Sequence, residues 1–136
     1  MSNYLLDTNV IIDFLREKKG VAEYLLHLLH QGGSLYCCEV TLAEVFSGMR
    51  EKERSKTEGF VQTLIYIPMS RQTAQRAGEM RRYYKERGRN LTLADCMVAA
   101  VALNNDCILL TKNLKDFPMP EIKKESIPKW DLSRKE

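Results

Sequence analysis

The sequence predicts an α/β fold in which a short, mostly parallel sheet is covered by helices on both faces. Short apolar runs alternate along the chain with segments whose apolar residues recur at helical spacing. The runs are continuously apolar, as expected for strands buried on both faces. The chain has no internal repeat, linker or low-complexity tract, so residues 1–136 are predicted to form one domain.

Each predicted strand is a short apolar run, and the first and third of them stop at a polar residue or a proline. The first run, Asn3 to Leu6, stops at Asp7. The later strands are predicted at Leu35 to Cys38, Ile65 to Ile67 and Cys107 to Leu110, with one more short strand near Ile122.

Most predicted helices begin at Ser or Thr, which cap helix N-termini well, and glycine ends several of them. Thr8 is the candidate N-cap of the first helix. The later helices are predicted from Val21 to the glycines at 32 and 33, from Thr41 to about Met49 with a solvated continuation over Arg50 to Glu58, from Ser70 to about Arg87, and from Thr92 to about Asn104.

The composition is typical of a soluble protein without a membrane span. The net charge is +3, and no apolar run approaches the roughly 20 residues that a membrane helix needs. The N-terminus has no basic start before its apolar part, so we expect no signal peptide and a cytoplasmic location. Four cysteines without a CxxC pair, beside only two histidines, disfavour a zinc site.

Acidic residues follow, or lie near, the ends of the predicted strands. Asp7 comes directly after the first strand, while Glu44 and Asp95 each lie in the first turn of a helix. Asn113 and Asp116 follow the fourth strand. Because the carboxyl ends of parallel strands meet at one edge of a sheet, where ligand sites form, we expect these side chains to converge there.

Carboxylates that converge repel one another unless a cation lies between them. Mg²⁺ prefers oxygen ligands, and a bound divalent metal can polarise a phosphate and activate water. A structural role is the alternative, because Thr41 with Glu44 and Thr92 with Asp95 have the spacing of capping boxes and Asp7 could simply cap the first helix. The apolar neighbours of the three acids favour the metal site, since a partly buried acid without a basic neighbour needs another cation.

A basic stretch lies between Arg71 and Arg89, where seven basic residues stand against two acids. Tyr83 and Tyr84 lie among them, and such a segment could bind a nucleic-acid backbone and stack a base. A solvated helix face with inward-packed tyrosines would give the same pattern. The candidates for contacts to an RNA backbone are Arg81, Arg82, Lys85 and Arg89.

Four segments, in this order, resemble the PIN-domain family and, within it, the VapC toxins of toxin–antitoxin pairs. They are YLLDTNVIID, TLAEVFSGM, LTLADCMVAAVAL and ILLTKNLKDF, and together they extend along nearly the whole chain. The resemblance implies a three-layer α/β/α domain with endoribonuclease activity that depends on Mg²⁺ or Mn²⁺.

The resemblance also implies roles for individual residues. Asp7, Glu44 and Asp95 match the three most regular acids of the family, with Asp7 and Asp95 as the principal metal ligands. Thr8 and Asn9 match small polar residues that help to order the first acid.

Three further residues follow the fourth predicted strand. Thr111 resembles a hydroxyl residue that helps to place water or phosphate. Many relatives have an aspartate where this chain has Asn113, and Asp116 is the alternative fourth acid. The fourth role, and with it the choice between one and two metal ions, stays open at this point.

The resemblance further implies an RNA substrate, a homodimer, and a VapB-like antitoxin that covers the site and can assemble with the toxin on DNA. Two other functions stay open: a non-catalytic RNA-binding or scaffold PIN domain, and a PIN nuclease of RNA processing without an antitoxin. A flavodoxin-like nucleotide-binding protein is disfavoured because DTNVIID, after the first strand, contains no glycine. A receiver-type signalling domain is disfavoured because the third strand is followed by Pro68 and Met69, where the phosphoacceptor aspartate would be needed.

Overall fold

A five-stranded, entirely parallel sheet forms the centre of the protein, with the strand order β3-β2-β1-β4-β5. The structure is a computed structural model that describes residues 2–128, so Met1 and residues 129–136 of the predicted domain lie outside the described residues. The strands are β1 (Asn3–Leu6), β2 (Ser34–Cys38), β3 (Ile65–Ile67), β4 (Ile108–Leu110) and β5 (Lys124–Glu125). The α/β class and the parallel sheet predicted from the sequence are confirmed.

Between residues 2 and 128 the chain also forms six α-helices and two short 3₁₀ helices. The α-helices are α1 (Thr8–Leu15), α2 (Val21–His30), α3 (Glu39–Gly48), α4 (Arg54–Val61), α5 (Arg71–Lys85) and α6 (Leu93–Asn104). The 3₁₀ helices are Glu51–Glu53 and Leu114–Asp116. None of the helices in this part of the chain is both long enough and apolar enough to cross a membrane.

Alternating side chains of the two innermost strands build a separate core on each face of the sheet, because successive strand residues point to opposite faces. Leu5 and Leu109 pack with Val98 of α6 on one face. Leu6 and Leu110 pack with Ile11 of α1 on the other. Helices therefore cover both faces, which confirms the three-layer α/β/α architecture.

The structure places the start of two helices earlier than the sequence analysis did. Asp7, not Thr8, is the N-cap of α1, because Asp7 Oδ1 accepts the backbone N–H of Thr8 at 2.9 Å. Cys38, not Thr41, precedes α3. The Thr41 hydroxyl lies inside the first turn, where it accepts the N–H of Cys38 at 3.2 Å and donates to the Cys38 carbonyl at 3.0 Å. Thr41 resembles an N-cap in the sequence, but it bonds the true N-cap, Cys38, from inside the first turn. The sequence therefore placed the start of α3 three residues too late.

The prediction that α3 continues as one solvated helix over Arg50 to Glu58 is wrong. Met49 is extended, with φ −78° and ψ 148°, and so ends α3. A new turn then begins at Arg50, whose N–H is accepted by Glu53 Oε1 at 2.7 Å, and it leads through the 3₁₀ helix into α4. The mixed charges are nevertheless solvated, as expected, because most of these side chains are exposed.

The short strand predicted near Ile122 is confirmed at the end of the sheet. Ile122 is not in a strand but is buried in the core, and the last strand forms two residues later at Lys124–Glu125 beside β4. The first helix ends at Leu15, about four residues before the predicted break at Gly20. The other strand and helix predictions agree with the structure to within about two residues at each end, which is the usual uncertainty of such boundaries.

Candidate active site

Asp7 lies at the carboxyl end of β1, in the middle of the sheet, and is only 6% exposed. Its Oδ1 accepts the N–H of Thr8, while its Oδ2 accepts the Thr111 hydroxyl at 2.8 Å and the Asn9 amide at 3.2 Å. Burial is the largest cause that raises the pKa of Asp7 above its ordinary value. Hydrogen bonds from Thr111 and Thr8 oppose this shift, and the charge of Glu44 adds to it.

Thr111 and Asn9 together hold the buried acid in one orientation. Thr111 is fully buried, and its hydroxyl also accepts the backbone N–H of Asn113 at 3.1 Å. The Asn9 side chain bonds Asp7 through its amide nitrogen and accepts the backbone N–H of Lys112 at 2.9 Å through its oxygen. The resemblance implied that the Thr111 hydroxyl helps to place water or phosphate. In the structure this hydroxyl donates to Asp7 and is not exposed to solvent.

Glu44 reaches the same edge of the sheet from α3. Its Oε1 accepts the Thr8 hydroxyl at 2.6 Å, a contact between residues 36 apart in the chain. The capping-box alternative is wrong for Glu44, because the Thr41 hydroxyl bonds Cys38 instead. Thr8 therefore touches two acids, Asp7 through its backbone N–H and Glu44 through its side chain.

Asp95 lies in the first turn of α6, where Thr92 is the N-cap and accepts the Asp95 backbone N–H at 3.0 Å. Partial burial is the largest cause that raises the pKa of Asp95, and a hydrogen bond with Thr92 opposes it. The negative charges of Asp7, Asp116 and Glu44 raise the pKa further. The influence of all three other acids on the pKa of Asp95 indicates that the four carboxylates lie in one region of the surface.

Asp116, rather than Asn113, contributes charge to this region. Asp116 ends the 3₁₀ helix Leu114–Asp116 and is half-buried, and its charge acts on Asp95. The Asn113 side chain is exposed, and only its backbone N–H enters the network, through Thr111.

The four acids have no basic partner of their own. Within residues 2–128, none of Asp7, Glu44, Asp95 and Asp116 forms an ion pair with lysine, arginine or histidine. In the same described part of the chain, no three acidic, histidine or cysteine side chains stand close enough to enclose a metal ion by themselves. The acids therefore lie near one another but do not by themselves enclose a metal ion, so other ligands would have to complete its coordination.

An open, all-oxygen, negatively charged donor set fits Mg²⁺ chemistry. Mg²⁺ usually keeps several waters and is held by one or two carboxylates together with substrate phosphates. Asp7 accepts three hydrogen bonds out of about four that a carboxylate can take, so one lone-pair position on Oδ1 remains for a ligand. The residues therefore fit a divalent cation that a phosphate helps to hold.

Comparison with known proteins identifies the family. The family model for the PIN domain matches residues 4–119, which is most of the chain and includes the four acids. The chain belongs to the PIN-domain family.

Named relatives of this PIN domain are ribonucleases of one group. The chain is 32% identical to Ribonuclease VapC10 of Mycobacterium tuberculosis over 117 residues, 86% of this chain and 87% of that protein. It is 30% identical to Ribonuclease VapC19 of the same species over 115 residues, 85% of this chain and 92% of that protein. Among solved structures, it is similar to VapBC2 from Rickettsia felis bound to a promoter DNA fragment, with a TM-score of 0.79 and 25% identity over 95% of this chain and 99% of that one.

The basic residues predicted to contact RNA divide into two groups on this PIN domain. Arg81 donates to the carbonyl of Leu91, and Arg89 donates to the carbonyl of Lys115, so both lie against loops that lead to Asp95 and Asp116. Arg82 pairs with Glu86 on the exposed face of α5, and Lys85 is also exposed. Only the first group is tied to the segments that carry the acids.

The two tyrosines of the basic stretch also differ. Tyr84 is half-buried and packs against the core, whereas Tyr83 is half-exposed and lies under the guanidinium of Arg87, 3.5 Å from the ring centre. The expectation of two inward-packed tyrosines therefore holds for Tyr84 alone.

Proposed function

We propose that this PIN domain is a metal-dependent endoribonuclease that acts as the toxin of a toxin–antitoxin pair. The observation that carries the proposal is the group of four carboxylates without a basic partner at the carboxyl edge of the sheet. The names of its relatives, which are VapC ribonucleases, support RNA as the substrate.

In this proposal Asp7 and Asp95 are the principal ligands of a divalent cation, Mg²⁺ or Mn²⁺. A bound divalent cation supplies charge stabilisation to a phosphodiester and lowers the pKa of a water molecule. Hydrogen bonds from Thr111 and Asn9 fix the orientation of the Asp7 carboxylate, so it loses little side-chain freedom when it binds the cation. Burial is the largest cause of its raised pKa and disfavours the ionised form, so a divalent cation beside it would offset that penalty.

Glu44 and Asp116 complete the site in different ways. Thr8 fixes one oxygen of Glu44, which leaves the other to orient a water molecule beside the phosphate. Asp116 takes the fourth acidic role that Asn113 cannot fill, because an amide side chain carries no charge and this one is exposed.

The positively charged approach to the site is provided by Arg81 and Arg89. Both guanidinium groups are anchored to loops that carry acids, and both remain exposed to solvent. We propose that they contact RNA phosphates on that side of the site, which would partly offset the repulsion between RNA and the carboxylates.

The proposed partner is an antitoxin of the VapB kind, and the proposed assembly is a homodimer. The antitoxin is supported by the similar structure of VapBC2 from Rickettsia felis bound to a promoter DNA fragment, whereas the homodimer rests on the family resemblance alone. Expression of the chain alone should arrest growth, and co-expression of an antitoxin from a neighbouring reading frame should relieve the arrest.

Cleavage of a 5′-labelled RNA by the purified protein tests the proposal. Parent protein with Mg²⁺ should cut internal phosphodiester bonds, and EDTA should stop it. Asp95→Asn should lower the rate by about a hundredfold or more, since it removes a ligand that contributes several kcal/mol to the transition state.

Asp106→Asn is the matched control, because Asp106 is exposed, precedes β4 at the opposite edge of the sheet, and has a positive φ that asparagine tolerates. This variant should cleave like the parent. Equal cleavage by Asp95→Asn and the parent would remove Asp95 from the site, and no cleavage by any form, with RNA still bound, would favour the non-catalytic RNA-binding alternative.

A further inference from the structure

A second polar region lies on the far side of α1 from Glu44. It is a cavity of about 580 Å³ between α1, the start of α2, and the segments that follow β4 and β5. Its charged lining residues are Asp13, Lys18, Lys19 and Lys112, and Val10, Val21 and Ile127 are among its apolar ones. We call it the lysine cavity.

Charge in the lysine cavity is not balanced. Among the lining residues that the structure describes, Asp13 is the one acid, and it pairs with Lys112 Nζ at 3.2 Å and with Lys18 Nζ at 3.5 Å. Two ammonium groups therefore share a single carboxylate. Lys19 forms no ion pair with any acid in the described part of the chain. The lining residues within positions 2–128 therefore carry a net charge of +2, three lysines against one aspartate.

Lys112 links the lysine cavity to the acidic site. This residue directly follows Thr111, which holds Asp7, and its backbone N–H is bound by Asn9. Its side chain extends the other way, to Asp13. Asp7 caps α1 and Asp13 lies six residues later, in the last turn of the same helix, so the two residues are separated by about 9 Å along the helix axis.

We propose that the lysine cavity binds a nucleotide of the RNA substrate next to the phosphate that is cut. This inference rests on the nuclease function proposed above. Ammonium groups at the mouth would bind the phosphate of that nucleotide, and the apolar wall formed by Val10, Val21 and Ile127 would receive its base. The occupant is single-stranded, because the base must be free to leave a stack before it can enter a pocket.

The charge pattern explains why such a subsite is useful. The four carboxylates repel an RNA strand, and Arg81 and Arg89 offset this on one side of the site only. The lysine cavity supplies positive charge on the other side, beyond Asn9 and Lys112. An RNA strand bound by the arginines on one side and by the lysine cavity on the other would extend across the acids. The nucleotides on either side of the cleaved bond would thus position it.

Binding of single-stranded RNA in EDTA tests the lysine cavity without any cleavage. The test variant is Lys19→Gln with Lys112→Gln, and the control is Lys56→Gln with Lys123→Gln. The control lysines are about as exposed and each pairs with one exposed acid, but neither lines the cavity. Fluorescence anisotropy is recorded across a range of salt concentrations, with thermal melting of each variant to verify folding.

We expect the test variant to bind RNA more weakly than the control, with a salt slope reduced by about 0.7 for each phosphate contact that is lost. RNA shortened by single nucleotides from each end gives a sharper signature. The parent should lose affinity in one step when the nucleotide in the cavity is removed from one end, and the test variant should lack that step.

The failure of this inference can be told apart from failure of the proposed function. If the test variant and the control bind RNA with equal affinity, equal salt slope and equal dependence on length while the parent cleaves RNA in Mg²⁺, the cavity assignment is overturned and the nuclease stands. If the parent does not cleave RNA at all, the proposed function is overturned, and the cavity as a subsite for cleavage with it.

Discussion

Replacement of Thr111 by valine removes the hydroxyl that holds the buried acid while it keeps the shape of the side chain. Thr111 is fully buried and donates to Asp7 Oδ2 at 2.8 Å. It also accepts the Asn113 N–H at 3.1 Å and, at 3.4 Å, the Asn9 amide. All three contacts disappear in the variant.

The expected loss of folding free energy follows from the three hydrogen bonds that the Thr111 hydroxyl makes. A hydrogen bond to a charged group contributes about 1.5–3 kcal/mol and a neutral one about 0.5–1.5 kcal/mol, and the contact at 3.4 Å adds little. We therefore expect Thr111→Val to lower the free energy of unfolding by about 2–4 kcal/mol. For a chain of this size that corresponds to a fall in Tm of roughly 10 °C. Cleavage should fall by about 10- to 100-fold, as for other residues that orient a metal ligand.

The loss of stability should depend on pH. The Thr111 hydrogen bond lowers the pKa of Asp7, so its removal raises that pKa further above the unfolded-state value. A carboxylate with a raised folded-state pKa destabilises the fold above the unfolded-state pKa, and the penalty disappears below it. The difference between variant and parent should therefore be largest near pH 7 and should narrow as the pH falls toward about 4.

Urea unfolding in EDTA at several pH values measures the difference, with Thr111→Ser as the control. Serine keeps the hydroxyl and loses only a methyl group, so it should retain most of the stability and the cleavage activity. If Thr111→Val were as stable and as active as the parent, the hydroxyl would not be what orders Asp7. An equal loss in both variants would assign the effect to packing instead.

Three more outcomes are expected. Thr8→Val should reduce cleavage about 10- to 100-fold while Thr8→Ser retains it, because only a hydroxyl can hold Glu44. Affinity for Mg²⁺, measured by calorimetry, should begin to fall above the ordinary aspartate pKa as the pH is lowered, since the raised pKa of Asp7 makes it protonate early. Gly33→Ala should cost about 1–3 kcal/mol in urea unfolding, because its Cβ would lie 2.9 Å from a backbone carbonyl oxygen of α2.

The fold and the approximate place of the site were accessible from the sequence because both depend on local patterns. Short apolar runs mark strands that are buried on both faces, and a parallel sheet brings the residues after those runs to one edge. Asp7 follows β1 directly, so its place at that edge needs no knowledge of tertiary contacts. Asp95 is located in the same way, by a Thr cap that the structure retains.

The long-range contacts that order the site could not be predicted from local sequence patterns, because they join residues far apart in the chain. Thr8 meets Glu44 across 36 residues, and Thr111 meets Asp7 across 104. Local patterns do not indicate which of several acceptors a hydroxyl will choose. The same limit explains the capping box wrongly considered for Glu44, whose threonine partner turned out to be Thr8.

The break between α3 and α4 was missed for a different reason. Gly48 and the acid three residues after Arg50 are both signals of a helix end followed by a new start, and they were present in the sequence. The run of charged residues masked them, since such residues are also good helix formers. The lysine cavity carried no sequence signal, because its three lysines come from two segments about 90 residues apart, and Asp13 pairs with a lysine of each segment.

Anomalous scattering from Mn²⁺ in crystals of the protein tests the central claim most directly, because it locates the ion without reference to activity. The account predicts a peak bonded to Asp7 and to at least one of Asp95, Glu44 and Asp116. A Mn²⁺ peak elsewhere would contradict the account. So would the absence of a peak near Asp7 together with a crystal structure in which the four acids face separate regions of solvent.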